Sequence, residues 1–140
     1  MVEKTFAILK PETVARGLVG EVLRRIEQEG FRICAAKLVK ATEKQAEKLY
    51  EMHVGKPFYK ELLSHITSGP IFVMVVEGES AVQRLRALVG ATNPAEAEKG
   101  TIRGDYGLTV TKNAIHAADS QENARRETAI FFAPEEILDL

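Results

Sequence analysis

The chain has 140 residues, 45% of them hydrophobic, with 19 basic and 20 acidic side chains and a formal charge of −1. That length carries one compact domain with its own core, and a near-neutral balance supplies no net attraction to nucleic acid or to an anionic membrane. The lone cysteine, Cys34, excludes an internal disulfide and a thiolate metal cluster and suits a reducing compartment.

The N-terminal segment MVEKTFAILKPE has only a short apolar run and carries acids, too little for a secretory leader. No stretch approaches the roughly 18 apolar residues of a membrane span. A cytoplasmic protein without membrane contact is expected.

Residues 4–10 read as a strand that Lys10 ends, and Pro11 suits the first turn of a helix. Val14, Leu18, Val22 and Ile26 recur every four residues and predict one amphipathic helix of about five turns, stopped at Gly30. Residues 31–39 form a second strand, with Cys34 as a small buried hydrophobe. Thr42 and Gln45 make a capping-box signature for a helix running to about His53. A short helix follows from Tyr59 to Ile66, then a Ser68-Gly69-Pro70 turn and an apolar strand from Ile71 to Val76.

Glu77-Gly78-Glu79 is expected to turn the chain into a helix that ends at Gly90. Residues 91–115 lack a clear period, and a loop of that length in so small a domain is functional or disordered. Its Ile102, Tyr106, Leu108 and Val110 predict that it packs onto something, a neighbouring subunit being one option. Ser120 caps a helix over 120–126. Residues 129–132 are read as the last strand and 134–140 as a tail. The order contains two β-α-β halves and predicts one domain over 1–140. The fold class is a ferredoxin-like α+β sandwich, βαββαβ, with a four-stranded antiparallel sheet and helices on one face.

The chemistry centres on His116, in the block Asn113-Ala-Ile-His-Ala-Ala-Asp-Ser120. A neutral imidazole can attack phosphorus if an acceptor holds its other nitrogen and stabilises the charge that develops. Glu127 and Asp119 are the nearby acceptors, Glu127 being placed at the opening of the last strand. Taken alone, His116 reads more readily as a surface or core-edge histidine. His53 and His65 fall in helical segments and read as structural or solvated.

Lys10 ends a strand at the edge where α/β proteins bind ligands, and supplies a point charge for phosphate. Arg86 and Arg103 flank the long loop and can fork onto phosphate oxygens, or serve as surface ion pairs. Thr92 and Asn113 suit hydroxyl and phosphate contacts or turn capping. Phe58 offers a stacking surface or a core residue, and Tyr50 a site hydroxyl or a packed ring. The Walker loop, GxGxxG, HExxH and GxSxG signatures are all absent.

The ordered motifs TFAILKPETVARGLVGEVLRRIEQEGF, SGP, EGESAV, GATNPAEAEKGTIRGDYG and NAIHAADS resemble the nucleoside diphosphate kinases essentially end to end. The resemblance implies a ping-pong phosphotransferase. A magnesium–nucleoside triphosphate gives its γ-phosphate to the histidine, which passes it to a nucleoside diphosphate. It implies His116 as nucleophile, Glu127 as the residue orienting it, and Lys10 and Tyr50 in the catalytic site, with Ser120 as the family's serine beside it. It further implies Phe58 stacking on the base, Arg86, Arg103 and Thr92 at the phosphates, and Asn113 at the sugar. Magnesium would be held mainly by substrate phosphates, with no protein metal ligand.

The implied partners are ATP, GTP, ADP, GDP and their deoxy forms, together with further copies of the chain. Relatives are hexamers or tetramers, and the long loop is a trimer contact in the hexamers. The chain departs from the family's usual Gly-Ser after the histidine, with Ala117-Ala118, and has Lys99 where many relatives have Pro. Competing readings are a histidine-dependent phosphatase in the same pocket and a non-catalytic nucleotide-binding module. Specific nucleic-acid binding is not expected.

Overall fold

A computed structural model describes residues 2–140. Strand β1 (Val2–Leu9) leads through Lys10 into α1 (Pro11–Ala15) and α2 (Val19–Gln28). The single long helix expected here is broken. Gly17 adopts φ +72°, Gly17 N donates to Val14 O, and Leu18 N donates to Thr13 O. This is a Schellman stop, which the four-residue apolar spacing conceals because it runs on across the break.

Then come β2 (Arg32–Val39), α3 (Glu43–Leu49), a 3₁₀ turn at Glu51–His53, α4 (Tyr59–Ile66), β3 (Ile71–Glu79) and α5 (Ala81–Val89). The capping box at Thr42 and Gln45 is present. The expected turn at 77–79 is instead strand, because these residues pair with Val2, Glu3 and Lys4 of β1. The long segment is not structureless either. It contains α6 (Ile102–Tyr106), with Thr101 Oγ1 accepting from Gly104 N. β4 (Ile115–Ala117) and α7 (Gln121–Phe131) follow, and the tail folds back so that Leu138 N donates to Cys34 O.

The expected last strand at 129–132 is the end of α7. Ala124, Glu127 and Phe131 are its buried face, a helical spacing that overrides the local strand preference of Ile130-Phe-Phe132. The fourth strand is the three-residue β4, which pairs with β1 and carries His116 opposite Ile8.

The sheet order is β2-β3-β1-β4, all antiparallel, the ferredoxin-like arrangement. Helices cover both faces rather than one. Phe6, Ile8, Val73 and Val75 pack with residues of α3, α4 and α7. Ala7, Leu9, Met74 and Val76 pack with residues of α2 and α5. β1 and β3 are therefore apolar at successive positions, as a strand buried on both faces must be. His116 shares the face of its partner Ile8, beneath α7.

The long segment docks on its own chain. Ile102 is fully buried. Arg25 reaches Asp105 at 2.8 Å and lies over the Tyr106 ring, whose hydroxyl donates to Glu21. Leu108 and Val110 stay exposed.

Gly90, which ends α5, has φ +93°, and a Cβ there would lie 2.5 Å from Thr101 Oγ1. Gly90→Ala is therefore expected to cost about 3 kcal/mol or more, read as a fall in the denaturation midpoint. A loss below about 1 kcal/mol would mean that the α6 cap yields at little cost.

Candidate active site

The site is built around a strained turn just before β4. Ala114 has φ +78°, and Ile115 N donates to Asn113 O at 3.0 Å, which makes a γ-turn. Such a backbone persists only where its surroundings over-determine it. Here Ala114 N donates to Glu12 Oε2 at 2.8 Å. Ala114 O accepts from Lys10 N at 3.0 Å and from Thr13 Oγ1 at 2.8 Å. The turn swings the chain so that Asn113 and His116 both line one cleft of about 770 Å³.

His116 Nε2 lies 2.8 Å from Glu127 Oε1. Glu127 is buried and the imidazole is part-exposed to the cleft. A carboxylate only accepts, so Nε2 carries a hydrogen, and in the neutral ring this leaves the lone pair on Nδ1. Glu127 reaches the histidine from α7, not from a strand. The alternative acceptor, Asp119, is engaged elsewhere: Asn123 Nδ2 donates to it at 2.6 Å, and that bond holds its carboxyl below the usual value.

Lys10, Arg86 and Arg103 face the same cleft, with Arg126 on its α7 wall. Lys10 is buried, and its Nζ donates to Thr111 O at 3.1 Å. Burial, then Arg103, pulls its amine down to about 8 against a raising pull from Glu12. Arg103 donates to Gly90 O at 3.1 Å and Ile115 O at 2.8 Å, while its buried Nε has no protein partner. Burial, then Arg86, lowers Arg103 to about 10, which leaves it charged at neutral pH. Arg86 is exposed and donates to Ala117 O at 3.1 Å. Among the described residues neither arginine forms an ion pair.

Tyr50 is buried, with its ring edge-on to His116 at 6.4 Å. Burial, then the carboxylates of Glu127 and Glu12, pushes its hydroxyl well above the ordinary value, so it stays a neutral donor. Phe58 is 42% exposed and lines the cleft, with His53 against its edge at 5.3 Å. Thr92 also lines the cleft and accepts, through its backbone oxygen, from Asn113 Nδ2. Asn113 Oδ1 is buried without a protein partner. Ser120 does not line the cleft. Its hydroxyl accepts from Asn123 N and caps α7, so it acts on the helix that carries Glu127.

The sequence profile of the nucleoside diphosphate kinases matches residues 3–137. The chain belongs to the nucleoside diphosphate kinase family. A nucleoside diphosphate kinase of Fervidobacterium nodosum is 56% identical over 137 residues, 98% of this chain and 93% of that one. One from Metallosphaera sedula is 53% identical over 98% of both chains. Two solved nucleoside diphosphate kinases superpose closely. That of Aquifex aeolicus has a TM-score of 0.95 at 40% identity and covers 99% of this chain and 100% of its own. That of Halobacterium salinarum, in complex with CDP, has a TM-score of 0.96 at 42% identity, covering 100% and 93%. The chain is a nucleoside diphosphate kinase in activity, a phosphotransferase acting between nucleoside triphosphates and diphosphates.

The backbone of this nucleoside diphosphate kinase accommodates the departure Ala117-Ala118. Ala117 belongs to β4 and pairs with Ala7, and the only non-glycine positive φ values among the described residues are at Ser80 and Ala114. Position 117 therefore does not need a glycine. Ala118 is buried and donates its N–H to Phe6 O. Lys99 forms an isolated bridge to Thr101 beside Gly100.

Two side chains in this kinase's site carry no signal in sequence. Glu12 clamps the γ-turn and is itself held by His65 Nε2 at 2.7 Å. Burial works to raise its carboxyl, but the bonds from His65 and Ala114 prevail and keep it below the ordinary value. Arg126 sits beside Glu127 on α7 and lines the cleft. Both depend on contacts between residues far apart in the chain, which no local pattern of the sequence displays.

Proposed function

We propose that His116 is the phosphate carrier of a ping-pong exchange. In the first half, Nδ1 attacks the γ-phosphorus, an N–P bond forms, and the P–O bond to the β-phosphate breaks, releasing a nucleoside diphosphate. In the second half, a terminal oxygen of an acceptor diphosphate attacks the same phosphorus and the N–P bond breaks. The proton stays on Nε2 throughout, where Glu127 stabilises the positive charge of the phosphorylated ring. The observation that carries this reading is the 2.8 Å His116–Glu127 bond in a cleft that Lys10, Arg86 and Arg103 also line.

Each remaining residue has a role that its surroundings support. Lys10, Arg86 and Arg103 stabilise charge on the transferring oxygens, preorganised by their bonds to backbone carbonyls. Tyr50 presents a neutral hydroxyl near the imidazole. Phe58, exposed at the cleft, offers a ring to the base, and a π-face discriminates weakly among bases. Thr92 and Asn113 bracket the phosphates and sugar. The solved CDP complex of the Halobacterium relative supports nucleotides of this size as ligands. Ser120 acts through α7.

The donor set also bears on magnesium. Among the described residues no group of three or more His, Cys, Asp or Glu could cage an ion. The chain instead fits an ion carried in on nucleotide phosphates, with Glu51, Asp119 and Glu122 on the cleft wall to hold its waters. Bound there, it would neutralise charge on the phosphates. The family match supports self-association into a homo-oligomer. The lone buried Cys34 favours a reducing, cytoplasmic setting. No helix among the described residues is long and apolar enough to cross a membrane.

Mixing the protein with γ-labelled ATP is expected to leave a stoichiometric, acid-labile and base-stable label on the chain. Added nucleoside diphosphate should then remove it as triphosphate. Release of free phosphate with no acceptor present would overturn the transferase mechanism in favour of a hydrolase.

A further inference from the structure

One guanidinium at the cleft differs from the phosphate-facing arginines in that the protein uses all of it. Arg126 Nε donates to Asn123 Oδ1 at 3.2 Å. Its Nη1 donates to Lys48 O at 2.7 Å and lies 3.6 Å from Glu51 Oε1. Its Nη2 donates at 3.5 Å both to Leu49 O and to Glu127 Oε2. The two carbonyls belong to the C-terminal end of α3, where backbone oxygens lack helical partners and the dipole is negative. The next residue is Tyr50.

These contacts join both neighbours of the reacting imidazole. Glu127 meets His116 through Oε1 and Arg126 through Oε2. A glutamate's terminal torsion is broad, so one bond leaves the carboxylate free to rock, and a second at the far oxygen restrains it. Tyr50, edge-on to His116, hangs from the α3 end that Arg126 grips. A second argument comes from charge. A nucleophilic imidazole must be neutral, and among the described residues Arg126 is then the one cation in direct contact with the buried Glu127 carboxylate. A buried carboxylate with no cationic partner would be costly.

We propose that Arg126 is a positioning residue for phosphoryl transfer, fixing Glu127 and Tyr50 around His116 without touching the nucleotide. The inference rests on the reading of His116 as phosphate carrier.

Arg126→Met is expected to slow both phosphoenzyme formation in a single turnover and kcat by about 10- to 100-fold, the scale of a small misplacement of reacting groups. KM for the diphosphate should stay within about twofold, because no substrate contact is lost. Arg126→Lys, which keeps the charge without the fork, should fall between the two. Millimolar guanidinium ion added to Arg126→Ala should restore part of kcat.

The proposal is overturned if kcat and the single-turnover rate of Arg126→Met stay within about twofold of wild type, or if the loss falls on KM alone. It is also overturned if guanidinium restores nothing to folded Arg126→Ala. Should the Met variant not fold, the Lys and guanidinium arms decide. A parallel His116→Ala sample separates the two readings. If it still takes up label, the carrier assignment fails. If it loses label while Arg126→Met matches wild type, only the positioning role fails.

Discussion

His116→Ala is expected to lose nucleoside diphosphate kinase activity, with kcat down by roughly 10⁴-fold or more, as when a covalent nucleophile is removed. The fold should survive, because the side chain is part-exposed and β4 is held by its backbone pairing to β1. Loss of the ring leaves Glu127 Oε1 buried without its partner, so some destabilisation, about 1–3 kcal/mol, should accompany the lost activity. The other two histidines make the comparison specific. His53→Ala touches the cleft wall at Phe58 and should act mainly through KM. His65→Ala loosens the Glu12 clamp and should lower kcat far less than loss of the nucleophile. Steady-state kinetics on the three variants decides the matter. Substantial turnover in His116→Ala would remove the phosphohistidine from the mechanism.

Lys10→Met is expected to lower kcat/KM by about 10²- to 10³-fold, the usual cost of one preorganised electrostatic contact to a transition state. The same residue predicts a pH dependence. Burial and Arg103 depress its amine from 10.5 to about 8, so it carries its charge below that pH and loses it above. The wild-type kcat/KM profile, which reports the free enzyme, should therefore fall as pH rises through about 8. Lys10→Met should lack that limb.

Stability should move in the opposite sense. Between about 8 and 10.5 the unfolded chain keeps the Lys10 proton and the folded chain gives it up. The unfolded state thus binds more protons, and stability from this site rises with pH across that window. Any stability advantage of Lys10→Met over wild type at neutral pH should shrink as pH rises through the window. A wild-type profile flat from neutral pH to 10, matching that of the variant, would detach Lys10 from the phosphates.

Much of the site is legible because its residue types and local spacing are distinctive. Lys10 follows the short apolar run Phe6-Ala-Ile-Leu9, and its position at that strand's end follows from the pattern alone. The capping box at Thr42 and the helix over Tyr59–Ile66 are likewise local and appear as expected. His116 is conspicuous in its block, and the ordered motifs around it carry the family and hence the ferredoxin-like fold. The errors lie where a short signal competes with tertiary context. β4 is only three residues long and becomes a strand by pairing with β1, while Ile130-Phe-Phe132 looks like a strand and is held helical by the packing of α7. The break at Gly17 is hidden because apolar residues on both sides face the same way.

By itself, the sequence determined the family and its chemistry and pointed to His116 as the candidate nucleophile, because these depend on residue types in fixed local order. Only the tertiary structure decided that Glu127 comes from a helix, and that Glu12 clamps a strained turn across 102 positions of sequence. It also showed that Arg103 is anchored by backbone carbonyls and that Arg126 spends its charge on the protein. The reason is that hydrogen bonds and desolvation depend on distance in space. Sheet pairing and helix packing set those distances, and no local window of sequence contains them.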